Sequence, residues 1–206
     1  MRVSIVARQF RVLINDLRGD LWDNSRLWGL IEVVLARLQT WAAANGAHLS
    51  RRVKKYQVPA SSNDVRVLEL PDDSRRVISV EYLDGNDPPR RIDRARYGER
   101  HAEAQSSDEP TYTTEGNRIL ISAPYAMTVV VSYEPALVEI SDDMQELELP
   151  NYLEALLVAE MVHAASAGTS EMEGYRLQQL GNLRKDALSV LKQEQGPTYS
   201  EPWRAR

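Results

Sequence analysis

The stretch Leu149 to Ala164, "LPNYLEALLVAEMVHA", decides the fold. Upstream of it, apolar residues recur at every second position over roughly ninety residues, the spacing of strands. Within it, Leu153, Leu156, Leu157, Glu160, Met161 and Ala164 recur at three and four, the spacing of one helix face. The same face carries Glu160 and His163. A Glu-x-x-His pair is one part of the cage that di-metal four-helix bundles build from two such pairs and two further glutamates. The other histidines are His48 and His101, and Asn45 and Gly98 stand three residues before them. With no second pair to complete the cage, the expectation is a packing helix with a polar edge. His163 then sits near the helix C-terminus, where the dipole favours an imidazole.

Upstream, Val3, Val6, Phe10, Leu13 and Leu17 form one amphipathic stripe, broken at Gly19 and Asp20. A second helix is expected from about Ser25, capped by Asp23, Asn24 or Ser25. Leu27, Leu30, Ile31, Val34, Leu35, Leu38 and Trp41 form its stripe, and Gly46 stops it. The two read as a helical hairpin. From about Leu49, "RRVKKYQVPA", "DVRVLELP", "RRVISVEYLDG", "NRILISAP" and "MTVVVSYEP" read as strands bounded by Pro, Gly, Asn and Asp. The polar stretch "RRIDRARYGERHAEAQSSDEPTYTTEGN" between the third and fourth reads as a short helix, a flexible loop and a turn at Glu115-Gly116-Asn117. Asp142 and Asp143, with Glu146, read as an acidic first turn. A last helix runs from Gly174 to Glu194 and stops at Gly196-Pro197.

The expected class is α+β. Residues 1–48 and 149–195 form a four-helix bundle-like domain from two N-terminal and two C-terminal helices. Residues 49–148 form a β-rich insertion, and residues 196–206 an extended tail. Neither helix pair alone buries much core, so the two halves are expected to pack together.

Composition narrows the function. The chain has 206 residues, 43% hydrophobic and 27% charged, as in soluble globular proteins. It has no cysteine, which excludes disulfides and thiolate metal sites. The N-terminus interleaves Arg2, Arg8 and Arg11 with a core-like helical period and has no small-residue cleavage site, so it reads as a helix rather than a leader. No apolar run approaches the ~18 residues of a membrane span. Net charge is −5, which is no general attraction for nucleic acid. Dinucleotide, phosphate-loop and nucleophile-elbow glycine patterns are all missing. "SSDE" and "SDDMQE" lack the ligand alternation and mid-loop Gly of a calcium loop. No catalytic residue, cofactor or metal is expected.

Two basic clusters remain, Arg51, Arg52, Lys54 and Lys55 in "SRRVKK", and Arg90, Arg91, Arg94 and Arg96 in "PRRIDRAR". Lysine and arginine on a strand edge block unwanted pairing. The functional alternative is contact with a protein partner or with phosphate, and no aromatic interleaving marks a single-strand track. The tail adds Tyr199, Trp203, Arg204 and Arg206, none needed for a core.

The order of these pieces resembles the head-to-tail adaptor proteins of tailed bacteriophages, the group that includes tail tubular protein A of short-tailed phages. The resemblance runs through "INDLRGDLWDNSRLWGLIEVVLARLQTWA", "RRVISVEYLDG", "EPTYTTEGNRILISAP", Val131-Ser132-Tyr133-Glu134-Pro135 and Leu149-Pro150-Asn151-Tyr152, from about residue 5 to 195. These are core and turn residues, not reactive ones. The resemblance implies a structural virion protein of the neck, made in the host cytoplasm, in a ring usually of twelve copies. The portal lies above it, a nozzle or tail protein below, and genomic DNA passes through without sequence-specific binding. It implies portal docking through Thr198 to Arg206, with Tyr199 and Trp203 as anchors beside Arg204 and Arg206. Two rivals are a head-completion or stopper protein of the neck and, in another class, a non-enzymatic ligand-binding or regulatory module.

Overall fold

Val3, Val6, Ala7 and Phe10 turn inward from the first helix, α1 (Val3–Ile14), in a computed structural model of the chain. It describes residues 1–60, 65–83, 89–95, 109–166 and 173–194. The helix ends earlier than its apolar stripe. Asn15 takes a left-handed conformation (φ 60°), its N–H donates to the Val12 carbonyl and the Asp16 N–H donates to that of Arg11. This pair of bonds is a Schellman stop with asparagine in glycine's place. Leu17, expected in the core, lies beyond this stop, and both it and Leu13 are exposed.

The link to α2 (Asn24–Ala44) is folded around Asp16. Its buried carboxylate accepts from the N–H groups of Leu21 (3.2 Å) and Trp22 (2.9 Å). Phe10 meets Trp22 edge to face at 5.5 Å. Asp23 is the N-cap, accepting from Arg26 N–H at 2.8 Å. At the other end Gly46 (φ +72°) completes a second Schellman stop, with Gly46 N–H to Ala43 and Ala47 N–H to Ala42. Leu27, Ile31, Val34, Leu35 and Leu38 are buried.

A 3-10 turn at Asn151–Leu153 starts α3 (Glu154–Ala165), and α4 (Glu173–Glu194) is the last helix. α1, α2 and α4 each pack on α3. The expected hairpin is thus modified: α1 and α2 each pack more extensively on α3 than on each other. One apolar core runs through all four helices.

Among the described residues the β-rich part has eight strands: β1 (Arg52–Val58), β2 (Val65–Glu69), β3 (Ser74–Leu83), β4 (Arg90–Arg91), β5 (Asp93–Arg94), β6 (Thr111–Glu115), β7 (Arg118–Ser122) and β8 (Met127–Pro135). They form two four-stranded sheets, β1-β8-β3-β4 and β2-β7-β6-β5. Val80 and Tyr82 of β3, Val129 and Val131 of β8, and Ile119 and Ile121 of β7 meet in one core shared by both sheets. β6 and β7 join through a turn at Gly116 (φ +57°). The short helix expected at the start of the polar stretch is not formed at Arg90–Arg94. There β4 closes the edge of one sheet and β5 the edge of the other, with Ile92 buried between them. Burying Ile92 and pairing both neighbours outweighs a weak helical tendency. The flexible loop expected next lies largely outside the described residues.

The chain divides into two compact units, Met1–Ser50 with Leu137–Arg206, and Arg51–Ala136. Residues 137–149 belong with the helices. Val3 N–H donates to Gln145 O and Ser4 N–H to Asp143 O, so this segment supplies acceptors for the open N-terminus of α1. The acidic helix start expected at Asp142 and Asp143 is a turn instead. Asp143 is held outside a helix because its carboxylate accepts from Trp28 Nε1 (2.9 Å) and Asn24 Nδ2 (3.0 Å).

Candidate assembly surfaces

Glu160 is buried, and Arg184 of α4 donates to it through Nε at 2.5 Å. The residue expected on a polar edge is therefore an inward ion pair between two helices. A buried carboxylate needs such a partner, because its desolvation is otherwise uncompensated. His163 lies in the last turn of α3. Among the described residues no group of three or more His, Asp or Glu side chains is placed to hold a metal ion. No helix among them is long and apolar enough to cross a membrane.

The first basic cluster is split by its strand. Arg51 donates to the buried Ser132 hydroxyl through Nε (3.1 Å) and Nη2 (2.7 Å). Arg52 is ion-paired with Asp73. Lys54 lies 5.1 Å from the centre of the Tyr56 ring, a cation–π contact. Lys55 is exposed. Arg51 and Arg52 thus anchor the start of β1, while Lys54 and Lys55 decorate an edge strand, where they hinder strand addition. In the second cluster Arg94 donates to Thr114 Oγ1 at 2.8 Å, and Arg96 lies outside the described residues. So do His101 and the tail residues Tyr199, Trp203, Arg204 and Arg206.

Tyr152 opens the helical return, and its hydroxyl donates to Glu194 at 2.8 Å, joining the start of α3 to the end of α4. Burial first, then that hydrogen bond and the Glu194 charge, push its phenol above the ordinary value. Burial, ahead of smaller charge effects, also raises the phenols of Tyr112 and Tyr56. These are neutral anchors, not acids or bases at physiological pH.

Sequence reasoning missed the outward side of α1. Ile5, Arg8, Gln9 and Val12 face away from the buried stripe, and with Ser4 and Leu13 they line a shallow groove of about 670 Å³. Leu17 and Leu21 in the following link are exposed as well. The signal was present: Ile5 and Val12 are seven apart, two turns along a face that an amphipathic helix ordinarily leaves polar. A second, smaller recess of about 220 Å³ lies beside it, lined by Arg8, Arg11, Asn24 and Asp143 among others. Within it Arg11 Nη2 donates to Trp22 O (3.0 Å) and Asn24 Oδ1 (2.8 Å).

Among the described residues the side chains singled out above serve as structural anchors or lie on open surfaces. Compared with known families, residues 1–206 match the family described as SU10 adaptor protein. The chain belongs to the SU10 adaptor family. This is a family of phage head-to-tail adaptors, so the adaptor is a phage structural protein, and membership agrees with a structural rather than enzymatic role. No curated protein matches the chain. In the adaptor, the Asp16, Trp22 and Asp23 of the resembling stretch build the link between α1 and α2. That explains why its motifs carry no chemistry: they fix a turn.

Proposed function

We propose that the adaptor forms a ring below the portal of a phage neck, prolongs the DNA channel, and gives the tail or nozzle its attachment surface, as tail tubular protein A does in the resembling group. The family match over the whole chain carries this reading. The ring would be of about twelve copies, the number usual in the resembling group and one that suits a closed heterologous assembly. A net charge of −5 suits a conduit, because phosphates pass a repelling wall rather than adhere to it. Lys54 and Lys55, on an exposed strand edge, are candidate contacts for a protein partner or for phosphate.

Portal docking is assigned to Thr198–Arg206. Tyr199 and Trp203 supply large anchors of low rotamer entropy, and Arg204 and Arg206 supply charge. Deleting residues 196–206 is expected to abolish binding to portal rings of the same phage while leaving the circular-dichroism spectrum and melting temperature unchanged. Electron microscopy of portal rings mixed with full-length or shortened chain makes the comparison. Binding of the shortened chain would remove the tail from this role. Failure of the full-length chain to bind would remove the ring reading itself.

A further inference from the structure

We propose that the outward face of α1 and the loop Leu137–Met144 are the two halves of one head-to-tail contact between copies of this chain. The inference rests on the ring reading above and names the surfaces that would make it.

The first half is apolar where an amphipathic helix should be polar. Ile5, Val12, Leu13, Leu17 and Leu21 are each 45–71% exposed. Single exposed apolar residues are ordinary, but a cluster of five within seventeen positions of chain, beside a groove, marks an interaction surface. Burying it against a neighbour removes apolar area from water that folding of one chain leaves exposed.

The second half has the same character and the opposite charge. Val138 and Met144 are more than three-fifths exposed, and Leu137 is more than a third exposed. They stand on a pinned loop. The Gln145 side chain brackets it, accepting from Ser141 N–H at 3.1 Å and donating to Glu139 O at 3.0 Å. Ile140 N–H donates to Glu32 of α2 at 2.6 Å. A loop already ordered loses little entropy on docking. Between Pro135 and Pro150 there is no Lys or Arg, while Glu139 and Asp142 are exposed. α1 has no carboxylate and presents Arg8; Arg18 and Asp20 are exposed just beyond, and Glu154 of α3 accepts from Gln9 at the groove. Complementary charge around an apolar centre sets which surfaces meet and in what register.

Charge also selects the pairing. Docking α1 on a second α1 would oppose Arg8 to Arg8, and loop on loop would oppose Glu139 to Glu139. Pairing α1 with the loop relieves both.

The chain has no cysteine, which gives a clean background for cross-linking. Full-length Val12→Cys and Val138→Cys variants are mixed under assembling conditions and treated with a short bis-maleimide. Covalent dimers are expected from the mixture and from neither variant alone, and a ladder of higher species from the double variant. As an independent measure, Arg8→Glu and Glu139→Arg should each weaken assembly by about tenfold, and their combination should restore it. Both positions are exposed, so circular dichroism should be unchanged. Dimers from Val12→Cys alone, or rings that form without the mixed cross-link, overturn the inference and leave the ring reading standing. If the unmodified chain forms no ring alone or on portal rings, both fall together.

Discussion

Arg184 and Glu160 show how a single residue changes meaning once its neighbours are known. Removing the arginine leaves a carboxylate in a site shielded from water, with its strongest partner gone. Arg184→Met is expected to lower stability by about 2–4 kcal/mol. That is less than a fully buried pair would lose, because the Arg184 side chain is itself 42% exposed and water can reach the vacated side. Glu160→Leu combined with Arg184→Met should recover most of the loss, since two apolar groups need no compensation. Urea unfolding of the three proteins checks this. A double variant as unstable as the single one would mean that the loss is one of packing. Glu160 was legible in the sequence as a helical position, but its partner was not. Arg184 lies twenty-four residues away on another helix, and no local pattern links the two.

At the scale of elements, helix ends are set by one or two residues each, and they were read with uneven success. Gly46 was expected as a stop because only glycine adopts a positive φ without cost. Nothing lies within 4 Å of where its Cβ would stand. Gly46→Ala should therefore cost about 1–2 kcal/mol, all of it from the backbone, and Gly46→Asn less. Thermal unfolding measures the difference, and an unchanged midpoint for alanine would show that the end of α2 relaxes freely. Asn15 does the same work for α1 but stands between Ile14 and Leu17, so the apolar period seemed to run on to Leu17. β4 and β5 were illegible for a different reason. Two-residue strands have no period, and their existence depends on edges offered by β3 and β6.

The whole molecule is two cores threaded by one chain. Arg51–Ala136 is continuous and contains both sheets and their shared apolar cluster. Expressed alone, it should give a β-type circular-dichroism spectrum and a cooperative melt, because among the described residues its core draws only on residues 56–131. A fragment that stays unfolded would show that the sheets need the helices. The helical unit has no such autonomy in sequence, as its four helices come from both ends of the chain and converge on α3. The sequence by itself determined the α+β class, the order of helices around strands, and the resemblance that the family match supports, because periodicity and turn residues act within a few positions of chain. Only the tertiary structure decided which helix is central, where Glu160 finds its charge, and which faces stay apolar and exposed. Those outcomes depend on residues that are distant in sequence and compete for the same buried space.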